Sequence, residues 1–202
     1  MNIPVKAGLL ALLSVAQLTA AGWSIARYES VLRSGAPYKI RIEPVDPADA
    51  FRGRYVQIFP SIRIPMPVSV ETKELIYRIQ NGEQGHVVLA SDADGFARIA
   101  QVLTTPPAQG NYLKIAHVWE QWSTDAPPGG QPTAIGYNVR LSFDRYYMNE
   151  RVAPAAAQQF FEATVRNSPQ RAWITVRVKD GVGVIEGLFI DDVPIEKVVV
   201  GG

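Results

Sequence analysis

The chain has 202 residues, of which 47% are hydrophobic and 19% are charged, a composition typical of a globular protein and not of a disordered one. Its 20 Lys and Arg residues nearly balance its 19 Asp and Glu residues, and the net charge of +1 argues against a protein that binds nucleic acid through bulk electrostatics. The lack of Cys excludes a disulfide scaffold, a thiolate metal site and a Cys nucleophile, and two His residues make a multi-histidine metal centre an unfavoured interpretation.

The segment from Ala7 to Ile25 is uncharged, and as a helix it is about as long as a bilayer core is thick. Lys6 precedes it, Arg27 follows it, and Trp23 falls where aromatic residues usually meet the membrane interface. We expect this segment to be an uncleaved signal anchor that holds the chain in a membrane. A cleaved signal peptide and a buried core helix are the alternatives.

The orientation of this span depends on the length of the chain after it. Counting only basic residues would place the N-terminus outside, because Lys6 stands against a larger group after the span. However, most of the chain lies after Ile25, and long domains translocate largely regardless of nearby charge. We therefore expect a single-pass protein of the bacterial inner membrane whose domain is extracytoplasmic, in the periplasm.

Beyond the span, alternation of apolar and polar residues predicts mainly β-strands. The predicted strands are residues 38–42, 53–58, 86–90, 96–103, 111–119, 134–143, 172–178 and 184–190. Helical patterns cover residues 72–80 and 154–165, and a turn at Asp191 leads into residues 193–199. The fold class predicted is α+β: an N-terminal transmembrane helix followed by an antiparallel β-rich domain with one or two helices.

The predicted organisation has three parts. Residues 1–28 form the anchor, residues 29–37 a linker, and residues 38–202 the β-rich domain. The strongest hairpin signal in that domain is Lys179-Asp180-Gly181, and a second one, Ser91 to Gly95, joins two earlier strands.

Two stretches of sequence carry a family resemblance. The first is the turn and strand PVDPADAFRGRYVQI, residues 44–58, and the second runs from VRLSFDRYYMNE, residues 139–150, into the helix and the final hairpin. Together they resemble the GDYXXLXY family of bacterial membrane-anchored proteins. In the naming motif, Gly53 and Tyr55 match, Arg54 replaces Asp, Ile58 replaces Leu, and Pro60 occupies the final Tyr position.

The resemblance implies a location and an architecture. It implies one membrane span and one extracytoplasmic domain, working beside a polytopic membrane protein. The family carries no assigned activity, so the resemblance implies no catalytic residue and no cofactor.

The two stretches supply the candidate site residues. They are Asp46, Pro47, Arg52, Gly53, Arg54, Tyr55, Arg145, Tyr146, Tyr147 and Glu150. In a structural interpretation, Gly53 shapes the turn, Tyr55 anchors the core and Arg52 pairs with a nearby Asp. In an interaction interpretation, the same turn contacts a partner, because Arg and aromatic residues are enriched at interfaces. Alternation predicts that Tyr146 and Tyr147 point to opposite faces.

Other pairings of reactive residue types favour structural roles. Ser69 and Lys73 have the residue types of a Ser/Lys dyad, but their polar segment gives no sign of the desolvated Lys that such a base needs. His86 and His117 each lie in a strand pattern without acidic neighbours at ligand spacing. The sequence therefore predicts no catalytic set, no metal site and no cofactor.

The function expected is that of a membrane-anchored extracytoplasmic domain, not an enzyme, that binds another membrane or envelope protein. The membrane contact is made by the segment from Ala7 to Ile25, and no nucleic-acid partner is expected. Two alternatives stay open. One is an envelope hydrolase acting on peptide or glycan, and the other is a binder of a small anionic ligand through Arg52, Arg54 and Arg63.

Overall fold

A computed structural model describes residues 3–42, 55–123, 131–149, 151–165 and 172–200 of the chain. The helices in these ranges are α1 (Ile3–Ser34), α2 (Val70–Gln80), α3 (Ala153–Val165) and α4 (Ile195–Val200). The strands are β1 (Ala36–Arg41), β2 (Tyr55–Gln57), β3 (Ser61–Pro65), β4 (His86–Ser91), β5 (Ala97–Leu103), β6 (Tyr112–Trp122), β7 (Ala134–Leu141), β8 (Arg145–Tyr147), β9 (Ala172–Lys179), β10 (Val182–Ile190) and β11 (Val193–Pro194).

The first helix is long enough and apolar enough to span a membrane. Its candidate span covers Ala7–Ser34, and none of the most apolar window of that span is buried against the rest of the protein. The alternative of a buried core helix is therefore wrong. The helix continues through residues 29–34 of the predicted linker and ends at Ser34. At the next residue, Gly35, a Cβ atom would lie 2.5 Å from the Val31 carbonyl oxygen.

The remaining strands form antiparallel sheets, as the sequence predicts. One sheet has four strands in the order β1-β9-β10-β11, and a second has five in the order β3-β7-β6-β4-β5. Strands β2 and β8 form a separate two-stranded ribbon. The predicted α+β class, with an apolar N-terminal helix before a β-rich domain, is confirmed.

Turn chemistry explains the tight hairpins. Asp180 and Gly181 both have positive φ, 47° and 79°, as the type I′ turn between β9 and β10 requires. At the β4–β5 turn, the Asp92 carboxylate accepts hydrogen bonds from the backbone N–H groups of Asp94 and Phe96 at 3.0 and 2.8 Å. Both hairpins lie where the sequence predicts them.

The core fills the space enclosed by the two larger sheets and α3. Alternating residues of the strands are buried, as in β9, where Ile174, Val176 and Val178 have essentially no exposed surface. Helix α3 buries a side made of small residues and one large ring, with Ala156 and Phe160 at its centre. Small side chains let this helix approach closely to its neighbours.

The five-stranded sheet is curved so that its two edge strands approach each other. Strands β3 and β5 are in contact with one another and with β1 of the four-stranded sheet. Isolated bridges join Lys39 to Phe96 and Ile42 to Pro60, so β1 lies along the seam between the edges. Closure of this kind leaves little unpaired strand edge exposed.

Three local features differ from the sequence prediction. Residues 61–65, for which no strand is predicted, form β3, an edge strand that tolerates Pro65 because its outer edge needs no ladder donor. Residues 145–147, predicted as the end of the preceding strand, form a strand of their own. After the turn at Asp191, two residues pair as β11 and the chain then becomes α4.

Candidate interaction site

The ribbon of β2 and β8 brings the two resemblance-bearing stretches together. In its antiparallel register, Tyr55 lies opposite Tyr147 and Val56 lies opposite Tyr146. Residues that face each other across two strands share a side of the sheet, so Tyr55 and Tyr147 point the same way. Their ring centroids are 5.7 Å apart at an interplanar angle of 59°.

Arg145 completes a cluster on this side of the ribbon. It lies two residues from Tyr147 on the same strand, and its guanidinium carbon is 5.2 Å from the centre of the Tyr55 ring. A side-chain hydrogen bond with Tyr147, followed by the charge of Asp144, raises the pKa of Arg145. The positively charged guanidinium therefore lies over the Tyr55 ring and beside Tyr147.

The cluster is open to solvent. Tyr147 is 66% exposed, the Arg145 side chain is half exposed, and Tyr55 is half buried. The structural interpretation placed Tyr55 in the core, and this is wrong. The core position is taken by its neighbour Val56, which has essentially no exposed surface.

Tyr146 points to the opposite side of the ribbon, as alternation predicts. It is half buried, and its hydroxyl donates a 2.5 Å hydrogen bond to the Glu196 carboxylate in the first turn of α4. Burial, followed by this hydrogen bond, raises the pKa of Tyr146 far above its usual value. Tyr146 thus joins β8 to α4 and is not available to a partner on the outer side.

A second cluster of rings around an arginine lies beyond the end of β2. Phe59 lies four residues from Tyr55, on the same side of the extended chain, with Ile58 fully buried between them. The Arg140 guanidinium carbon is 4.6 Å from the centre of the Phe59 ring and 5.4 Å from that of Trp119. The Arg140 Nε atom is buried, and the described residues offer it no hydrogen-bond acceptor.

We call these residues together the aromatic–arginine face. It consists of Tyr55, Phe59, Trp119, Arg140, Arg145 and Tyr147. Three of them, Phe59, Trp119 and Arg140, are not among the residues predicted from the sequence. Strand alternation was the available signal, because it places the Arg140 side chain on the other face of β7 from the buried Val139 and Leu141. Alternation does not show, however, that β7 lies beside the end of β2.

Several predicted site residues fall outside the described residues. They are Asp46, Pro47, Arg52, Gly53, Arg54 and Glu150. Of the predicted set, the structure brings together Tyr55, Arg145 and Tyr147 and places Tyr146 on the other side.

The residue pairs considered as reactive sites take structural positions. The Ser69 hydroxyl caps α2, accepting a hydrogen bond from the Thr72 backbone N–H at 3.2 Å. His86 is buried against the Tyr112 ring, and burial, followed by the charge of Lys114, lowers its pKa. Across the described residues, no three His, Asp or Glu side chains lie close enough to hold a metal ion.

Comparison with known protein families gives one match. Residues 17–188 match the model of the family described as GDYXXLXY protein, which covers most of the chain. No curated protein and no solved structure matches this sequence.

Proposed function

Because this chain belongs to the GDYXXLXY family and carries an apolar helix long enough to span a membrane, we propose that it is a single-pass membrane protein whose domain lies outside the cytoplasm and binds another membrane protein. The aromatic–arginine face is the proposed contact surface. The observation that carries the proposal is the solvent-exposed Tyr55–Arg145–Tyr147 cluster on the outer side of the β2–β8 ribbon.

The order of the parts supports the proposed location. One apolar span precedes a folded domain that contains nearly all of the remaining chain. Long domains after a single span translocate largely regardless of flanking charge. The periplasm of a bacterial cell is therefore the proposed compartment of the domain.

The residue types of the face favour a protein partner. Tyr, Trp, Phe and Arg are the residues most enriched at protein interfaces, and Tyr and Arg side chains often contribute the largest binding energies. Arg145 and Arg140 each lie against aromatic rings, which fixes their guanidinium groups before a partner arrives. The Nε of Arg140, which has no acceptor among the described residues, supports contact with an acceptor group, because a buried donor left without one is costly.

The helix supports a partner that is itself in the membrane. Gln17 lies near the middle of the apolar span, and among the described residues its side-chain amide makes no hydrogen bond. Polar side chains at this depth usually face another helix, where amide groups hydrogen-bond across the interface. A neighbouring transmembrane helix would supply that group and hold its own protein beside the domain.

Site-specific photo-cross-linking tests this proposal in cells. The photoreactive residue p-benzoylphenylalanine replaces Tyr147 in one strain and Tyr77 in another. Tyr77 is the matched control, because it is an exposed tyrosine of the same kind, 67% exposed, on α2. We expect a covalent adduct with a second membrane protein from position 147 and none from position 77.

Two results would contradict the proposal. One is equal cross-linking from both positions, or none from either. The other is an adduct from position 147 that contains only a second copy of this chain. As an added check, Arg145→Ala should reduce the adduct from position 147 without lowering the melting temperature of the purified protein, because its charge is exposed.

A further inference from the structure

A cavity of about 530 Å³ lies at the seam where β1 meets the edge strands of the five-stranded sheet. Each of three neighbouring strands places one arginine on it: Arg41 from β1, Arg63 from β3 and Arg98 from β5. These residues are far apart in sequence, and only the closure of the curved sheet against β1 brings them to one cavity. We propose that this cavity binds a small anion that carries a phosphate group.

The charge of the lining favours an anion. Asp92 is the acidic residue of the lining, and its carboxylate is already engaged by two backbone N–H groups of its own turn. No ion pair joins Arg41, Arg63 or Arg98 to a carboxylate anywhere in the described ranges. Among the described residues, the three guanidinium groups thus have no carboxylate partner, and a guanidinium is suited to bidentate contact with phosphate oxygens.

The cavity also has features that fix its polar groups in place. Asn138 lines it while being only 7% exposed, and none of the hydrogen bonds in the described structure involves its side-chain amide. The amide carries both donor and acceptor groups, so it can hydrogen-bond a ligand oxygen or amine at this point. The guanidinium carbon of Arg41 lies 3.8 Å from the centre of the Phe96 ring, which holds this arginine in one position.

The position of the cavity favours a soluble anion over a lipid headgroup. Asp180 of the β9–β10 turn lines a cavity together with Trp23 and Ala26, near the end of the apolar segment of α1, so in the proposed topology this turn lies on the membrane side of the domain. Arg41 pairs with Trp173 at the other end of β9, six residues from Lys179 and therefore about 20 Å along the strand from that turn. A headgroup in the plane of the bilayer does not reach that far.

Calorimetric titration of inorganic phosphate into the full-length chain tests the proposal. The chain is reconstituted in vesicles of phosphatidylcholine, with sodium chloride at matched ionic strength as the reference. We expect saturable binding of phosphate that chloride does not reproduce. Arg63→Gln and Arg98→Gln should each weaken it about tenfold, the factor expected for loss of a charge-assisted hydrogen bond.

Arg151→Gln is the matched control, since Arg151 is an exposed arginine away from the cavity, and it should leave the affinity within about twofold. Arg63 and Arg98 are also exposed, so their substitution leaves the core intact, and melting temperatures check this. Absence of saturable binding, or equal binding by all variants, would overturn the proposal.

Vesicles that contain anionic phosphatidylglycerol separate the two possible sources of the phosphate group. At about 0.1 M salt, charge at the bilayer surface is screened within about 10 Å, so it should not reach the cavity. We expect the phosphate affinity to be the same in both vesicles. A tenfold loss of affinity in the anionic vesicles would mean that the lipid headgroup occupies the cavity and would overturn the assignment to a soluble anion.

Discussion

Tyr55 in β2 and Ile58 just after it have opposite roles, one at the surface and one in the core. Ile58 has no exposed surface, and its backbone N–H donates a 2.9 Å hydrogen bond to the Asp144 carbonyl, whereas Tyr55 is half buried and lies on the aromatic–arginine face. Ile58→Ala should therefore lower the free energy of unfolding by about 2–5 kcal/mol. Tyr55→Ala removes a surface cross-strand pair and should cost about 1 kcal/mol or less.

Chemical denaturation of the detergent-solubilised chain measures both changes. If Tyr55→Ala proved as destabilising as Ile58→Ala, the assignment of Tyr55 to the outer face would be wrong. The same pair separates stability from recognition, because only Tyr55 belongs to the proposed contact surface.

His86 should make the stability of the domain sensitive to mild acid. The side chain is 4% exposed, and burial, followed by the charge of Lys114, lowers its pKa below the ordinary value of 6.5. The unfolded chain then binds a proton more readily than the folded one as pH falls below about 6.5, so stability is lost in that range.

Melting temperatures between pH 7 and pH 5 test this expectation. In the wild-type chain the melting temperature should fall over this interval, and His86→Gln should make the fall smaller. His117→Gln is the control, because His117 is exposed and stacks on Trp119 at the surface. An unchanged pH dependence in His86→Gln would show that other groups cause the loss.

At the scale of elements, one hydrogen bond joins β8 to the last helix. Tyr146 donates to Glu196 from a half-buried position, so Tyr146→Phe should lower the free energy of unfolding by about 1–2 kcal/mol. The next residue offers a matched control, since Tyr147→Phe alters an exposed hydroxyl and should change stability by less than about 0.5 kcal/mol. Thermal melts of the two variants should differ by several degrees, and equal melts would mean that this contact does not stabilise the domain.

Elements with local signals could be predicted from the sequence. The hairpin of β9 and β10 follows from Asp180-Gly181, and α2 follows from its apolar spacing, with Ile76 on the buried side. The short helix α4 carried no such signal, because its run of valines favours a strand. Two contacts with distant parts of the chain are made by this helix instead. Ile195 is buried, and Glu196 accepts the hydrogen bond from Tyr146.

The site was predictable only in part, for the same reason. Tyr55 and the Arg145–Tyr147 segment could be selected as separate stretches, but nothing local shows that they pair in one ribbon. Likewise, Arg41, Arg63 and Arg98 lie in three separate strands whose common cavity depends on the curvature of the five-stranded sheet. Long-range strand pairing is set by the whole fold and leaves little trace in any one segment.

At the scale of the whole molecule, the β-rich domain is held in one orientation relative to the apolar helix α1. The β9–β10 turn lies beside the end of the apolar segment, and the Lys179 amine donates a 2.9 Å hydrogen bond to the Ser34 hydroxyl, so the helix is held against the domain. Gly35 comes directly after the helix and is packed against the backbone of Val31 and Val178, so the domain has little freedom to turn relative to the apolar helix. A rigid junction of this kind would keep the aromatic–arginine face at a fixed position beside a neighbouring membrane protein.

Cysteine labelling tests most directly whether this face lies outside the cytoplasm and is covered by a partner in the membrane. The chain has no Cys, so Tyr147→Cys and Tyr77→Cys each introduce a single reactive thiol at positions of matched exposure. A membrane-impermeant maleimide is applied to intact spheroplasts that express each variant at its native level. We predict that the thiol at position 77 is labelled rapidly and that the thiol at position 147 is protected until the protein is purified. Labelling of position 77 only after lysis would contradict the orientation, and equally rapid labelling of both positions in intact spheroplasts would contradict the covered face.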